Sequence, residues 1–293
     1  ATREQLLRVH DEEYLRRISE TQGRATALDP DTYTSPESYE IALLAAGACV
    51  DGVERVMSNA HRTAFALVRP PGHHAERSRA MGFCLFNNVA VAAAHARTMN
   101  ARKVAIVDFD VHHGNGTQHI FESDPRVLYI SAHQYPYYPG TGAAEEIGRD
   151  AGQGFTVNLP IEVGAVDEDY QLAFSRIVLP VLRQFEPDLL IVSAGFDAHE
   201  RDPLGGMRVT TPAFAAMTQD LRAVAEDCCR GRLVAAVEGG YDLHALGGSL
   251  DATIDALSGE PKPAAWPSSG IRSSRGEAAV EATGAAIRAF WRV

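Results

Sequence analysis

Six short runs rich in Val, Ile and Leu recur along the chain: TAFALVRP (63 to 70), RKVAIVDFD (102 to 110), RVLYISAH (126 to 133), FTVNLPI (155 to 161), PDLLIVSAGFD (187 to 197) and RLVAAVEGGY (232 to 241). Near-continuous apolar runs of this length read as strands buried on both faces, the habit of parallel sheets. Helical patterns separate them at 35 to 58, 86 to 99, 167 to 185 and 211 to 229, the first opened by a Ser start signal. Strand and helix in alternation predict an α/β fold with a mainly parallel sheet and helices on both faces. With 293 residues, 45% apolar and 22% charged, the chain is long enough to bury such a core.

The stretch 258 to 276, rich in Ser, Gly and Pro, reads as a surface linker, and the segment from 277 onward as a closing helix able to pack Val280, Ile287, Phe290 and Trp291. The expected organisation is a single domain over 1–257, with 258–293 as a linker and C-terminal helix packed on the same domain. No apolar run approaches the roughly 20 residues needed to cross a bilayer. The opening ATREQLLRVHDEEYLRRI reads as a charged amphipathic helix rather than a signal peptide, so a cytoplasmic location is expected. Cys49, Cys84, Cys228 and Cys229 lack CxxC spacing and read as reduced, structural thiols. A formal charge of -11 argues against a nucleic-acid partner and suits a cationic substrate. Whether copies of the chain assemble into a homo-oligomer is left open.

Polar clusters follow the strands: PPGHHAE, DFDVHHGNG, SAHQYPYYPGTG, AGFDAHERDPLGG and EGGYD. In open parallel sheets ligands bind beyond the carboxyl ends of the strands, so these clusters are expected to share one site. Asp110 and His112 stand at i and i+2, which in an extended segment turns both side chains the same way, and Asp197 at a parallel strand end offers a third oxygen. Two carboxylates and an imidazole, with an open position for water, match a catalytic zinc site.

The runs RPPGHHA, GFCLFNN, DFDVHHGNGTQ, YYPGTGAAEEIG, SAGFDAH followed by DPLGG, and EGGYD resemble the signature runs of the zinc-dependent histone deacetylase family. The likeness is to its class II side, with the bacterial histone-deacetylase-like proteins and acetylpolyamine amidohydrolases, and extends from about residue 7 to 250. It implies the three-layer arginase/deacetylase fold and an amidohydrolase that removes acetyl or other acyl groups from a lysine side-chain nitrogen in proteins or peptides. It further implies that Asp110, His112 and Asp197 bind Zn2+ and that His73 and His74 are the tandem histidines beside the metal-bound water. Tyr241 would aim its hydroxyl at the substrate carbonyl. Asp108 would orient His73 and, with Ser131, help hold a structural K+. Gly82, Phe83, Tyr138, Gly240 and Leu204 fall to substrate binding, with Phe83 and Tyr138 as opposite walls of a narrow channel and the Gly82 carbonyl facing the substrate amide. Asn115 stands where class I relatives have an acid; a neutral amide stabilises an imidazolium less, so the histidine it contacts, expected to be His74, stays neutral and suits a general base.

Family members carry an HPER-like segment ahead of the point where this chain begins, which leaves either a clipped sequence or a partly open site. His113 reads as a buried structural histidine, and His133 and His199 as loop residues outside the site. Acetylated polyamines are the alternative substrates; polyamine-preferring relatives tend to place an acid near Leu204. A non-catalytic acyl-lysine binding module would be expected to have lost a ligand, the histidines or Tyr241. An arginase-like ureohydrolase would need further carboxylates for two manganese ions.

Overall fold

The computed structural model describes residues 1–259 and 263–293. The chain opens with helices α1 (Arg3–Leu6) and α2 (Glu12–Ser19), an antiparallel hairpin of β1 (Thr26–Asp29) and β2 (Thr32–Thr34), and helix α3 (Ser38–Met57). There follow β3 (Thr63–Ala66), α4 (Asn88–Thr98), β4 (Val104–Asp108), α5 (Asn115–Phe121), β5 (Val127–Gln134), β6 (Thr156–Ile161), α6 (Asp167–Ala173) and α7 (Leu179–Phe185). The chain continues through β7 (Leu189–Ala194), α8 (Thr211–Cys229), β8 (Leu233–Val237), α9 (Leu243–Ser258) and α10 (Ser274–Ile287).

Each of the six apolar runs forms a strand, and they join in one sheet of order β3-β8-β7-β4-β5-β6 with every pair parallel. Side chains alternate along the strands, so both faces need cover. Val104 and Ile106 of β4 pack with Leu6, Ile18, Val53 and Val89 on one side. Ala105 and Val107 pack with Tyr170, Leu182, Phe214 and Ile287 on the other. The result is the three-layer α/β architecture, with the loops after β3, β4, β5, β7 and β8 gathered along one edge.

Three expectations change locally. The opening segment is two helices rather than one, because His10 turns inward: its Nε2 accepts the Asn87 N–H (3.0 Å) and its Nδ1 lies 3.0 Å from the Glu76 carbonyl oxygen. The first strand stops at Ala66, where its pairing with β8 ends at Ala236, and leaves Leu67 exposed. The segment 167 to 185 is helical throughout but widens to a π turn over Phe174–Val178, immediately ahead of Pro180, whose missing N–H breaks the regular ladder. The hairpin β1–β2 and helices α5 and α9 have no counterpart in the expectations.

Of the linker at 258 to 276, residues 260–262 lie outside the described residues. Within the same segment Trp266 donates to Asp220 Oδ2 (2.8 Å). In α10, Ala279 and Ile287 join the buried cluster, and Val280 and Trp291 pack against it. Phe290, expected on the packed face, is instead 42% exposed because the helix ends at Ile287. We therefore infer that α10 unfolds together with the sheet. Ile287→Ala should lower stability by about 2 to 5 kcal/mol within a single urea transition; a separate early transition would make the C-terminal helix an independent unit.

Candidate active site

Strand order sets the site. β4, β7 and β8 are adjacent, and their ends deliver Asp108 to Asp110, Gly195 to Asp197, and Glu238 to Tyr241. Asp110, His112 and Asp197 offer ligand atoms that all lie within 4.8 Å of one another. His112 Nδ1 is 3.1 Å from Asp110 Oδ1 and 3.1 Å from Asp197 Oδ2. The expected route to this convergence was extended alternation. The strand in fact ends at Asp108, and the chain bends so that the His112 N–H donates to Asp110 Oδ1 (2.9 Å). The other carboxylate oxygens are held from behind, Asp110 Oδ2 by the Gly239 N–H (2.8 Å) and Asp197 Oδ1 by the Val111 N–H (2.9 Å).

A Cβ on Gly239 would fall 2.0 Å from Asp197 Oδ2, and one on Gly195 would fall 2.0 Å from Asp110 Oδ2. Both positions must be glycine to leave room for the carboxylates. Burial disfavours charge on Asp197, and the Asp110 charge adds to this, so its carboxyl rises to about 6. Burial also works against protonated His112, but the two carboxylates overcome it and push the imidazole up to about 11. Two buried carboxylates gripping one proton through one imidazole form the donor set and the charge deficit that a divalent cation would fill.

The tandem histidines reach this cluster from the β3 side. His73 Nδ1 lies 3.0 Å from Asp108 Oδ2, which also accepts the Tyr129 hydroxyl (3.1 Å). His74 Nδ1 lies 2.8 Å from Asn115 Oδ1, the contact expected from sequence. The two rings stand 4.0 Å apart in opposite electrostatic settings. Burial would keep His73 neutral, yet Asp108, Asp110 and Glu238 together raise it to about 10. His74 is held well below its ordinary value by burial and by the neighbouring His73 and His112 charges. The two adjacent rings are therefore pushed in opposite directions, His73 toward the protonated form and His74 toward the neutral one.

Phe83, Tyr138, Leu204 and Tyr241 line the pocket above the cluster. Phe83 sits edge-on to Tyr241 with centroids 6.2 Å apart, and Tyr138 sits edge-on to His74 at 5.1 Å. Gly82 (φ 57°) packs against the face of His74, where a Cβ would come within 2.3 Å of Cδ2. Its carbonyl accepts from Cys84 Sγ (3.2 Å). Phe83 itself is left-handed (φ 67°), a strained conformation for an aromatic residue, and is held there by its N–H donating to Thr32 Oγ1 (3.0 Å). Tyr241 is fixed by its N–H to Asp202 Oδ2 (2.7 Å). Burial and the Asp110 and Asp197 charges raise its phenol far above the ordinary range, so the hydroxyl remains a donor.

One expected pocket residue is displaced. Gly240 faces away, toward Leu246 and Phe196, and Gly239 lines the pocket instead, because the chain turns between them (Gly240 φ 136°). Asp108 and Ser131 are register partners on β4 and β5, with Ser131 Oγ bonded to His133 Nδ1 (2.9 Å). His113 is buried between Thr141 Oγ1 (2.7 Å) and Gln118 Oε1 (2.9 Å). His133 and His199 also lie outside the pocket lining.

Sequence reasoning missed four contributors. Asp31, in the β1–β2 turn, lines the mouth and accepts the Gly82 N–H (3.2 Å). Pro71 lines the wall. Tyr137 stacks on His112, with centroids 5.4 Å apart and planes at 22°. Glu238, fully buried, accepts the N–H groups of Gly72 (2.6 Å) and His73 (3.1 Å) and the Ser193 hydroxyl (2.7 Å), anchoring the histidine loop to β8. Pro71, Tyr137 and Glu238 all stand in the quoted runs RPPGHHA, YYPGTG and EGGYD, whereas Asp31 lies outside every one of them.

Residues 1–257 match the histone deacetylase domain model. The chain is 47% identical over 264 residues to Histone deacetylase 15 of Arabidopsis thaliana, covering 88% of this chain and 47% of that protein. It is 43% identical over 281 residues to the polyamine deacetylase HDAC10 of Homo sapiens, covering 90% of this chain and 41% of the relative. A probable deacetylase of Archaeoglobus fulgidus is 42% identical over 244 residues, 83% of this chain and 68% of its own length. The chain thus spans less than half of the plant and human relatives. The crystal structure of the HDA15 HD domain superposes with a TM-score of 0.92 at 43% identity, covering 99% of this chain and 81% of that one. With this match over most of its length and the site geometry above, the chain belongs to the histone deacetylase family.

Proposed function

We propose that the protein is a zinc-dependent amidohydrolase that removes acetyl or other acyl groups from the side-chain nitrogen of lysine in proteins or peptides. The observation that carries this reading is geometric: the tandem His73 and His74, with His74 bonded to Asn115, stand beside the Asp110, His112 and Asp197 cluster in a pocket that Tyr241 also lines. Asp110, His112 and Asp197 would hold the zinc ion, which when bound supplies a Lewis acid for the amide carbonyl. His74 takes the proton of the attacking water and returns it to the departing amine. Tyr241 donates to the carbonyl oxygen as negative charge develops there. His73, its Nδ1 held by Asp108, stands next to His74 and can share the handling of that proton. Phe83 and Tyr138 flank the thin alkyl chain, and Leu204 gives the rim an apolar edge. The same reading gives Asp108 and Ser131 to a structural potassium ion; Asp108 already accepts from the Asp110 N–H and the Tyr129 hydroxyl, Ser131 donates its hydroxyl to His133 Nδ1, and no catalytic step depends on the ion.

The alternative, deacetylation of polyamines, has one feature in its favour: the Asp31 carboxylate at the mouth, able to meet a distal ammonium. Paired assays on acetyl-lysine peptides and acetylated polyamines separate the two. A binding module without activity is disfavoured because no catalytic group is missing.

Three outcomes are expected. In the ion-free protein the raised His112 is protonated at pH 7 and must release that proton to become a ligand. Zinc binding should therefore release close to one proton, with affinity rising about tenfold per pH unit above pH 6; calorimetry in buffers of different ionisation enthalpy reads this, and no release would remove His112 from the ligand set. His74→Ala should lower kcat by about 10²-fold or more with the metal still bound, and near-wild-type turnover at neutral pH would end its assignment as the base. Tyr241→Phe should lower kcat by about 10² to 10³-fold with KM little changed. If the variant instead loses melting temperature and keeps its rate, the tyrosine is structural.

A further inference from the structure

The Nδ1 of His74 faces the Asn115 amide, and an amide can present either of two groups. With Oδ1 toward the ring, Asn115 accepts from Nδ1–H and leaves the Nε2 lone pair free. With Nδ2 toward the ring, it donates, the proton moves to Nε2, and the ring has nothing with which to take a proton. The amide alone does not choose between these states.

A carboxylate behind it does. Asn115 Nδ2 donates to Glu76 Oε1 (2.5 Å) and also lies 3.4 Å from Met81 Sδ. An ionised carboxylate only accepts, so a flipped Asn115 would set its carbonyl oxygen against the Glu76 oxygen. Glu76 is itself fixed on the same oxygen by His119 Nδ1 (2.8 Å) from the next turn of α5. Its side chain is 19% exposed, so the interaction is largely shielded from water. The backbone carbonyl of Glu76 meets His10 Nδ1 (3.0 Å), which pins the main chain as well.

We propose that Glu76, braced by His119, is a positioning residue that locks the Asn115 amide in one orientation and thereby fixes His74 as the Nδ1–H tautomer. Its catalytic consequence rests on the reading of His74 as the base; the tautomer itself does not.

The test reverses the polarity of the lock. Glu76→Lys presents donors only, so Asn115 turns its oxygen away from the ring and His74 moves to the Nε2–H form. Adding Asn115→Asp supplies an acceptor-only group that holds Nδ1–H again, now paired to the lysine. Long-range proton–nitrogen NMR of the ion-free protein, with labelled histidine and His74→Ala for assignment, reads the tautomer directly. Nδ1–H is expected in the wild type, Nε2–H in Glu76→Lys, and Nδ1–H restored in the double variant. In the zinc-loaded enzyme, kcat should fall by about 10²-fold in Glu76→Lys, with KM little changed, and recover to within about tenfold in the double variant. Should the lysine variant fail to fold, the isosteric Glu76→Gln asks the same question and should give a mixture of tautomers. An unchanged, pure Nδ1–H form in either single variant overturns the proposal. An inactive wild type with the expected tautomers would overturn the amidase reading and leave the lock standing.

Discussion

Four carboxylates, Asp108, Asp110, Asp197 and Glu238, are fully buried where β4, β7 and β8 end, and the surrounding structure is arranged to accommodate them. An uncompensated buried charge costs several kcal/mol, so each oxygen must find a donor. Backbone N–H groups of Gly72, His73, Asp110, Val111, His112 and Gly239 supply most of them. These donors are free because they lie just past strands and in loops, where no ladder claims them. The same requirement explains the glycines at 195 and 239, since any side chain there would occupy the space of a carboxylate oxygen.

From this concentration of charge follows the contrast between two adjacent histidines. His73 and His74 are equally buried, and burial pushes both toward neutrality. A carboxylate partner reverses the outcome for His73, while an amide partner cannot do so for His74. The neighbouring cations then depress His74 further. The two consecutive rings are thus set apart by their partners, Asp108 at the end of β4 for His73 and Asn115 at the start of α5 for His74, a division that does not depend on the histidines themselves.

The pocket wall shows a comparable dependence across the chain. Phe83 holds a left-handed backbone in which its N–H donates to Thr32 Oγ1 of β2 and the Gly82 N–H to Asp31 Oδ1 of the β1–β2 turn, about fifty residues earlier. The small hairpin therefore acts on the rim through backbone hydrogen bonds and through Asp31 at the mouth.

The apolar runs alone determined a parallel sheet with two covered faces, because a strand buried on both sides has no polar alternate positions to spare. Their polar ends also determined that Asp110, His112 and Asp197 share one edge, since parallel strands all finish there, and the signature runs carried the family. Only the tertiary structure decided what depends on contacts between distant loops: the placement of Glu238 and Asp31, the exchange of Gly240 for Gly239 in the lining, and the break of the opening helix at His10. These turn on backbone torsion and on hydrogen bonds between residues far apart in the chain. Periodicity reports which face of an element is buried; it carries no information on which donor from another loop will meet a given oxygen.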